Sequence, residues 1–177
     1  EPGEIHRGEV IGILGPNGIG KTTFVKLLAG IIEPDEGYVE LKGELEVSYK
    51  PQFLLEMKLE GTLYEYLRYE IGVDPEESSI KTNFLKPLGL IELLDRDINT
   101  LSGGELQRVA IVSCLLKKAD VYLIDEPMAY LDVEYRFAVA RLIRRITEER
   151  EAATFVVEHD IVAQDFVADS IMVFLGT

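Results

Sequence analysis

Gly15–Thr22 reads GPNGIGKT, placed between a short apolar run, Glu9–Leu14 (EVIGIL), and a helix-forming stretch from Lys21 to about Ala29 that Gly30 stops. No other feature constrains the fold so tightly. The apolar run reads as a buried parallel strand feeding a loop. In that loop, Gly15, Pro16, Asn17, Gly18, Ile19 and Gly20 let successive backbone N–H groups turn inward around phosphate oxygens, where a Cβ would crowd them. The helix beginning at Lys21 adds the positive end of its dipole. Lys21 is expected to reach the β- and γ-phosphates of a nucleotide, Thr22 to ligate Mg²⁺, and Thr23 to bond the α-phosphate. A plain glycine-rich turn is the competing reading. The strand before, the helix after and the full set of filled positions weigh against it.

A second set of polar residues falls at strand exits. Asp125 and Glu126 follow four apolar residues, Val121–Ile124, and so stand at the carboxyl end of a core strand. In an open parallel sheet that edge faces the ligand crevice. Asp125 is expected to hold Mg²⁺ through water, and Glu126 to polarise the attacking water as general base. His159, in VVEHD, leaves the next strand, where an imidazole N–H can bond the γ-phosphate. Gln52, in YKPQ, leaves another, where its amide can reach Mg²⁺ or water. His6 reads as structural.

Ser102-Gly103-Gly104-Glu105 opens a helix and forms a further anion site, with the serine hydroxyl and free N–H groups as donors. One chain has no need of two γ-phosphate sites. The economical account is that this one covers ATP held by another copy or another domain, so that hydrolysis is coupled to two domains closing on each other.

Along the chain, Pro34-Asp35-Glu36-Gly37 carries turn chemistry, and Tyr38–Leu41 and Leu45–Tyr49 read as strands. Residues from about Thr62 to Asn99 change character. They read as helical, with a Thr62/Glu65 capping box, breaks at Pro75 and Pro87-Leu88-Gly89, and no clear strand. Ser102 and Glu105 start a helix to about Lys117. Val133–Glu149 reads as a long helix with Val139, Leu142, Ile143 and Ile146 on one face. Ala153–Val157 and Ile171–Phe174 close the pattern as strands. The expected fold is α/β: a mostly parallel sheet with right-handed crossovers and an inserted helical lobe. The whole of 1–177 is expected to be one domain, with a core at 1–54 and 118–177 and the lobe at about 60–117. Tyr64, Tyr66 and Tyr69 are expected to pack the lobe, Cys114 to be a buried small residue, and Arg141, Arg144 and Arg145 to form a solvated helix face.

Composition narrows the partners. A formal charge of −14 argues against a broad basic surface for nucleic acid. No apolar run approaches the roughly 20 residues of a membrane helix. The single cysteine, Cys114, excludes an internal disulfide and an iron–sulfur ligand set within this chain. The cytosol is the expected compartment.

Taken together, these motifs resemble the nucleotide-binding domains of ATP-binding-cassette (ABC) ATPases: Walker A at Gly15–Thr22, the Q-loop glutamine Gln52, the signature LSGGE, the Walker B pair, the D-loop ending Leu131-Asp132, and the H-loop His159. YKPQ, LSGGELQRVA, AYLD and VVEHD resemble the second such domain of the RNase L inhibitor family of ribosome-recycling ATPases. That resemblance implies two ABC domains sandwiching two ATP molecules head to tail, with Ser102, Gly103, Gly104, Glu105 and Asp132 serving ATP across the interface and a ribosomal subunit as partner. Against that family the chain, which opens on Glu1, is expected to be a piece lacking the first domain, the iron–sulfur cysteines, the hinge and the strands before Walker A. Met128 replaces the usual D-loop serine. Two other readings fit the motifs: the ATPase subunit of a membrane transporter, and a nucleotide-binding module without turnover.

Overall fold

A computed structural model describes residues 5–38, 44–50 and 60–175. Five parallel strands form one sheet in the order β2–β3–β4–β1–β5: β1 Val10–Leu14, β2 Val47–Lys50, β3 Val121–Asp125, β4 Ala153–Val157 and β5 Ser170–Val173. Because all strands run the same way, the exits of β1, β2, β3 and β4 gather at one edge. Neighbouring residues along each strand face opposite sides of the sheet. Ile11, Ile13, Leu123, Phe155 and Val157 therefore pack with Val25 of α1 (Lys21–Leu28) in one apolar cluster. Val10, Tyr122, Ile124 and Val156 join a second, larger cluster on the other face.

That larger cluster runs without a break into the lobe. The lobe is more irregular than its sequence predicts. One-turn α2 (Leu63–Glu65), capped by the Thr62/Glu65 box, passes into π-helical Tyr66–Ile71 and stops at Gly72, with φ of 81°. One-turn α3 (Ser78–Ile80) passes into π-helical Lys81–Leu85, then the 3₁₀ turn Lys86–Leu88. Two further 3₁₀ turns, Ile91–Leu93 and Ile98–Thr100, follow, and Thr62 makes an isolated antiparallel bridge with Asp97. Frequent glycine and proline prevent any longer helix here. What holds the turns is burial: Leu63, Leu67, Leu85, Leu88 and Leu90 are wholly inaccessible.

Three further helices lie among the described residues. α4 (Gly103–Leu116) is buried along most of its length, including Cys114. α5 (Val133–Glu149) buries the predicted stripe of Val139, Leu142, Ile143 and Ile146. α6 (Ile161–Val167) is not anticipated by the sequence pattern. It is only seven residues long and leaves Ile161 and Val162 exposed, so it has little helical periodicity to detect.

Three local expectations need correction. Tyr69 is 73% exposed and does not pack the lobe, whereas Tyr66 is buried. The α5 arginines are not simply solvated: Arg144 pairs with Asp169 at 3.3 Å, and Arg145 donates to the Asn83 carbonyl oxygen. The expected strand at Tyr38–Leu41 falls almost wholly outside the described residues, as does Gln52.

Candidate functional site

A cavity of about 440 Å³ lies at the strand-exit edge, lined by Asn17, Gly18, Gly20, Lys21, Thr22, Thr23, Glu126, Val157 and His159. Gly18 and Gly20 have φ of 79° and 101°, the left-handed region that glycine enters without steric cost, and a Cβ on either would meet no protein atom. The loop is thus curled around open space rather than packed shut. Lys21 is buried, with Nζ donating to the carbonyl oxygens of Gly15 and Pro16. These bonds hold the ammonium against the loop.

Thr22 Oγ1 donates to Asp125 Oδ2 at 3.0 Å. Asp125 is completely buried, and its other oxygen, Oδ1, has no hydrogen-bond partner. Burial raises its pKa, and the Thr22 bond partly opposes that rise. An unpaired buried carboxylate oxygen is costly unless a cation or donor joins it. Among the described residues no three His, Cys, Asp or Glu side chains gather into a preformed metal cage. The donor set (one hydroxyl, one carboxylate oxygen, an adjoining phosphate cradle) suits a hard cation that keeps waters and is shared with phosphate.

Glu126 takes φ of 50° although it is not glycine and precedes Pro127. Its carboxylate Oε1 stands 3.4 Å from His159 Nδ1. The β3 and β4 exits thus bring Glu126 and His159 together at the cavity wall.

Three buried polar side chains beneath this wall have no role predicted from sequence. Lys50, at the end of β2, donates from Nζ to the Asp125 carbonyl oxygen at 2.7 Å. Burial pushes it down to about 8, against the pull of the Asp125 charge. Gln107 of α4 donates to the Glu126 carbonyl oxygen at 2.6 Å. Glu158 Oε1 accepts the Met128 N–H at 2.9 Å, while burial pushes its carboxyl up to about 7. The one detectable signal is a charge at the end of an apolar strand, in VSYK and in FVVEHD.

Ser102 is exposed at the N-cap of α4. Its hydroxyl accepts the Glu105 N–H at 3.2 Å, and Glu105 Oε2 accepts the Ser102 N–H at 3.0 Å. Neither Ser102, Gly103, Gly104 nor Glu105 lines the cavity. Asp132 likewise caps α5, accepting the Tyr135 N–H at 3.1 Å. A Cβ on Gly104 would stand 2.8 Å from the Tyr130 carbonyl oxygen, so the D-loop lies against the signature glycine.

A glycine loop closed on a helix N-terminus, with a strand-end carboxylate bonded to the loop's threonine, defines a P-loop nucleotide-binding domain. The chain belongs to the ABC family: residues 3–129 match the family model described as ABC transporter. Within that family it has close homologues in the RNase L inhibitor branch. It is 55% identical over 98% of its length to an ATP-binding protein of Methanocaldococcus jannaschii, described as an uncharacterized ABC transporter. Over 99% of its length it is 43% identical to the translation initiation factor RLI1 of Saccharomyces cerevisiae. The crystal structure of archaeal ribosome recycling factor aABCE1 in complex with the ribosomal stalk protein aP1 contains a chain 57% identical to it, covering all of this chain with a TM-score of 0.89. The chain spans 28% of the length of each of those two curated relatives and 34% of the chain in that structure. Among the described residues no helix is long and apolar enough to cross a membrane.

Proposed function

We propose that this chain binds Mg-ATP and hydrolyses it as one half of a head-to-tail ATP sandwich with a second ABC domain, in the splitting and recycling of ribosomes. The observation that carries the site is the unpaired Oδ1 of Asp125, whose other oxygen is bonded to Thr22 of the open phosphate cradle.

In this reading the Gly15–Gly20 loop and the start of α1 hold the phosphates through backbone N–H groups, with Lys21 adding its charge and Thr23 a hydroxyl. Thr22 and Asp125, with Gln52 from the segment after β2, hold Mg²⁺. When bound, the ion neutralises charge building on the phosphate oxygens. Glu126 accepts a proton from the attacking water, and His159 steadies the γ-phosphate and the Glu126 carboxylate. The water oxygen forms the new bond to phosphorus as the bond to the leaving ADP oxygen breaks. Ser102, Gly103, Gly104, Glu105 and Asp132 serve the nucleotide of the opposing domain. Their separation from this chain's own cavity supports that division of labour.

The strongly acidic chain repels its own copies, so a less acidic ABC domain is the favoured mate. The cytoplasm is the matching compartment. Association with the ribosome rests on the relatives named as a translation initiation factor and a ribosome recycling factor. Co-sedimentation of the chain with ribosomal subunits, with the opposing ABC domain and a non-hydrolysable ATP analogue present, tests it. Recovery with a membrane transporter instead, and none with ribosomes, would assign the domain to the transporter reading. A phosphate-release assay separates both from a module without turnover.

A further inference from the structure

Glu126 holds a strained backbone conformation, with φ of 50°. Left-handed φ is unfavourable in a non-glycine residue, and the following proline disfavours α-type conformations of the residue before it. Such a conformation persists only where neighbours over-determine it. Four bonds do so here. The Glu126 N–H donates to the Val157 carbonyl oxygen at 2.9 Å, continuing the β3–β4 ladder by one step. Its own carbonyl oxygen accepts Gln107 Nε2 at 2.6 Å and the Ala129 N–H at 3.4 Å. Two residues on, past Pro127, which has no N–H to give, the Met128 N–H is accepted by Glu158 Oε1 at 2.9 Å.

Glu158 gains this bond inside the protein, besides the attraction of Lys50 and His159. It is 4% exposed, lies one residue before His159 on the β4 exit, and carries a carboxyl where an apolar residue would bury without cost. Met128 is itself 2% exposed, so its N–H has no water to turn to if the carboxylate is removed. The bond ties the H-loop directly to the first residue after Glu126-Pro127.

We propose that Glu158 is a positioning residue: by accepting the Met128 N–H it holds the Glu126–Met128 turn in its strained conformation, and so aims the Glu126 carboxylate at the reacting water. This rests on Glu126 being the water-activating base of the proposed function. Glu158 does not line the cavity and acts through the turn. The Gln107 bond gives α4 a hold on the same turn, so a shift of the signature helix is felt at the base.

The test uses the chain together with its opposing ABC domain, and three variants. Glu158→Leu removes the acceptor; kcat should fall about tenfold to a hundredfold, the scale of a small misplacement of a catalytic group, while KM and calorimetric Mg-ATP affinity stay within about twofold. Glu158→Gln keeps an acceptor oxygen and should retain kcat within about threefold. Placed on Glu126→Gln, Glu158→Leu should cost nothing further, because both act at one point. Hydrogen exchange supplies a readout independent of turnover: the Met128 amide should be protected in the parent and in Glu158→Gln, and exposed in Glu158→Leu. Should Glu158→Leu fail to fold, an amide-to-ester replacement at Met128 deletes the same bond and should reproduce the loss in kcat. Unchanged kcat with the bond removed overturns the proposal. So does equal loss of kcat and affinity in both Glu158 variants, which marks a merely structural role. Full turnover in Glu126→Gln would overturn the underlying reading and the proposal with it.

Discussion

The sheet edge and the helical lobe build their halves of the molecule by different means. At the edge, buried parallel strands deliver each polar group to a fixed point: Asp125 bonded to Thr22, Glu126 facing His159, Lys50 on the Asp125 carbonyl. In the lobe, no single turn before α4 exceeds six residues, and apolar anchors such as Leu67, Leu85 and Leu88 supply the order. One apolar cluster nevertheless joins the lobe to a face of the sheet. The lobe is ordered by packing and tied to the sheet edge through α4 and Gln107.

If that contrast holds, the largest effects should come from the sheet edge. Glu126→Gln should leave ATP binding nearly intact and slow phosphate release by roughly 10²–10⁴-fold, the usual contribution of a general base. Single-turnover kinetics with the opposing domain present would check this, and near-parental turnover would show that another group activates the water. Lys21→Ala should weaken nucleotide binding by about 2 kcal/mol, roughly 30-fold, through loss of charge-assisted phosphate bonds. Equal calorimetric affinity for parent and variant would remove the phosphate-cradle assignment.

Much of the sheet edge is legible in the amino-acid sequence. GPNGIGKT and the Asp125–Glu126 strand exit are contiguous patterns whose spacing dictates strand, loop and helix. The α5 stripe matches because seventeen residues hold more than four turns of periodicity. The lobe is legible only as helical, since π and 3₁₀ turns place apolar residues at nearly helical spacing. The exposure of Tyr69 and the existence of α6 escape the sequence, because neither carries a local signal of which face meets the core. Lys50, Gln107 and Glu158 act across the fold, and their partners are 75, 19 and 30 residues away in sequence.

The buried carboxyl of Glu158 gives the contrast a pH signature. Burial raises it from an ordinary 4.5 to about 7, so the folded chain holds a proton that the unfolded chain releases between those values. Its contribution is therefore most favourable at low pH and declines as pH rises through about 7. Relative to the parent, Glu158→Gln should gain stability at about pH 8, on the order of 1–2 kcal/mol, and that gain should shrink toward pH 5. Denaturant melts at both pH values would measure it. A gap independent of pH would mean that this carboxyl stays ionised throughout.

The most direct test of the central claim is the ATPase rate as a function of protein concentration, first for this chain alone and then with an opposing ABC domain added. Hydrolysis by a sandwich predicts a negligible rate for the chain alone. It also predicts a rate that rises and saturates with the second domain, because ATP binds the closed pair better than either half. Ser102→Arg should leave this chain's own nucleotide affinity unchanged and abolish hydrolysis at the opposing site. A substantial rate that is independent of concentration and indifferent to Ser102→Arg would mean that one chain hydrolyses ATP unaided, and would contradict the account.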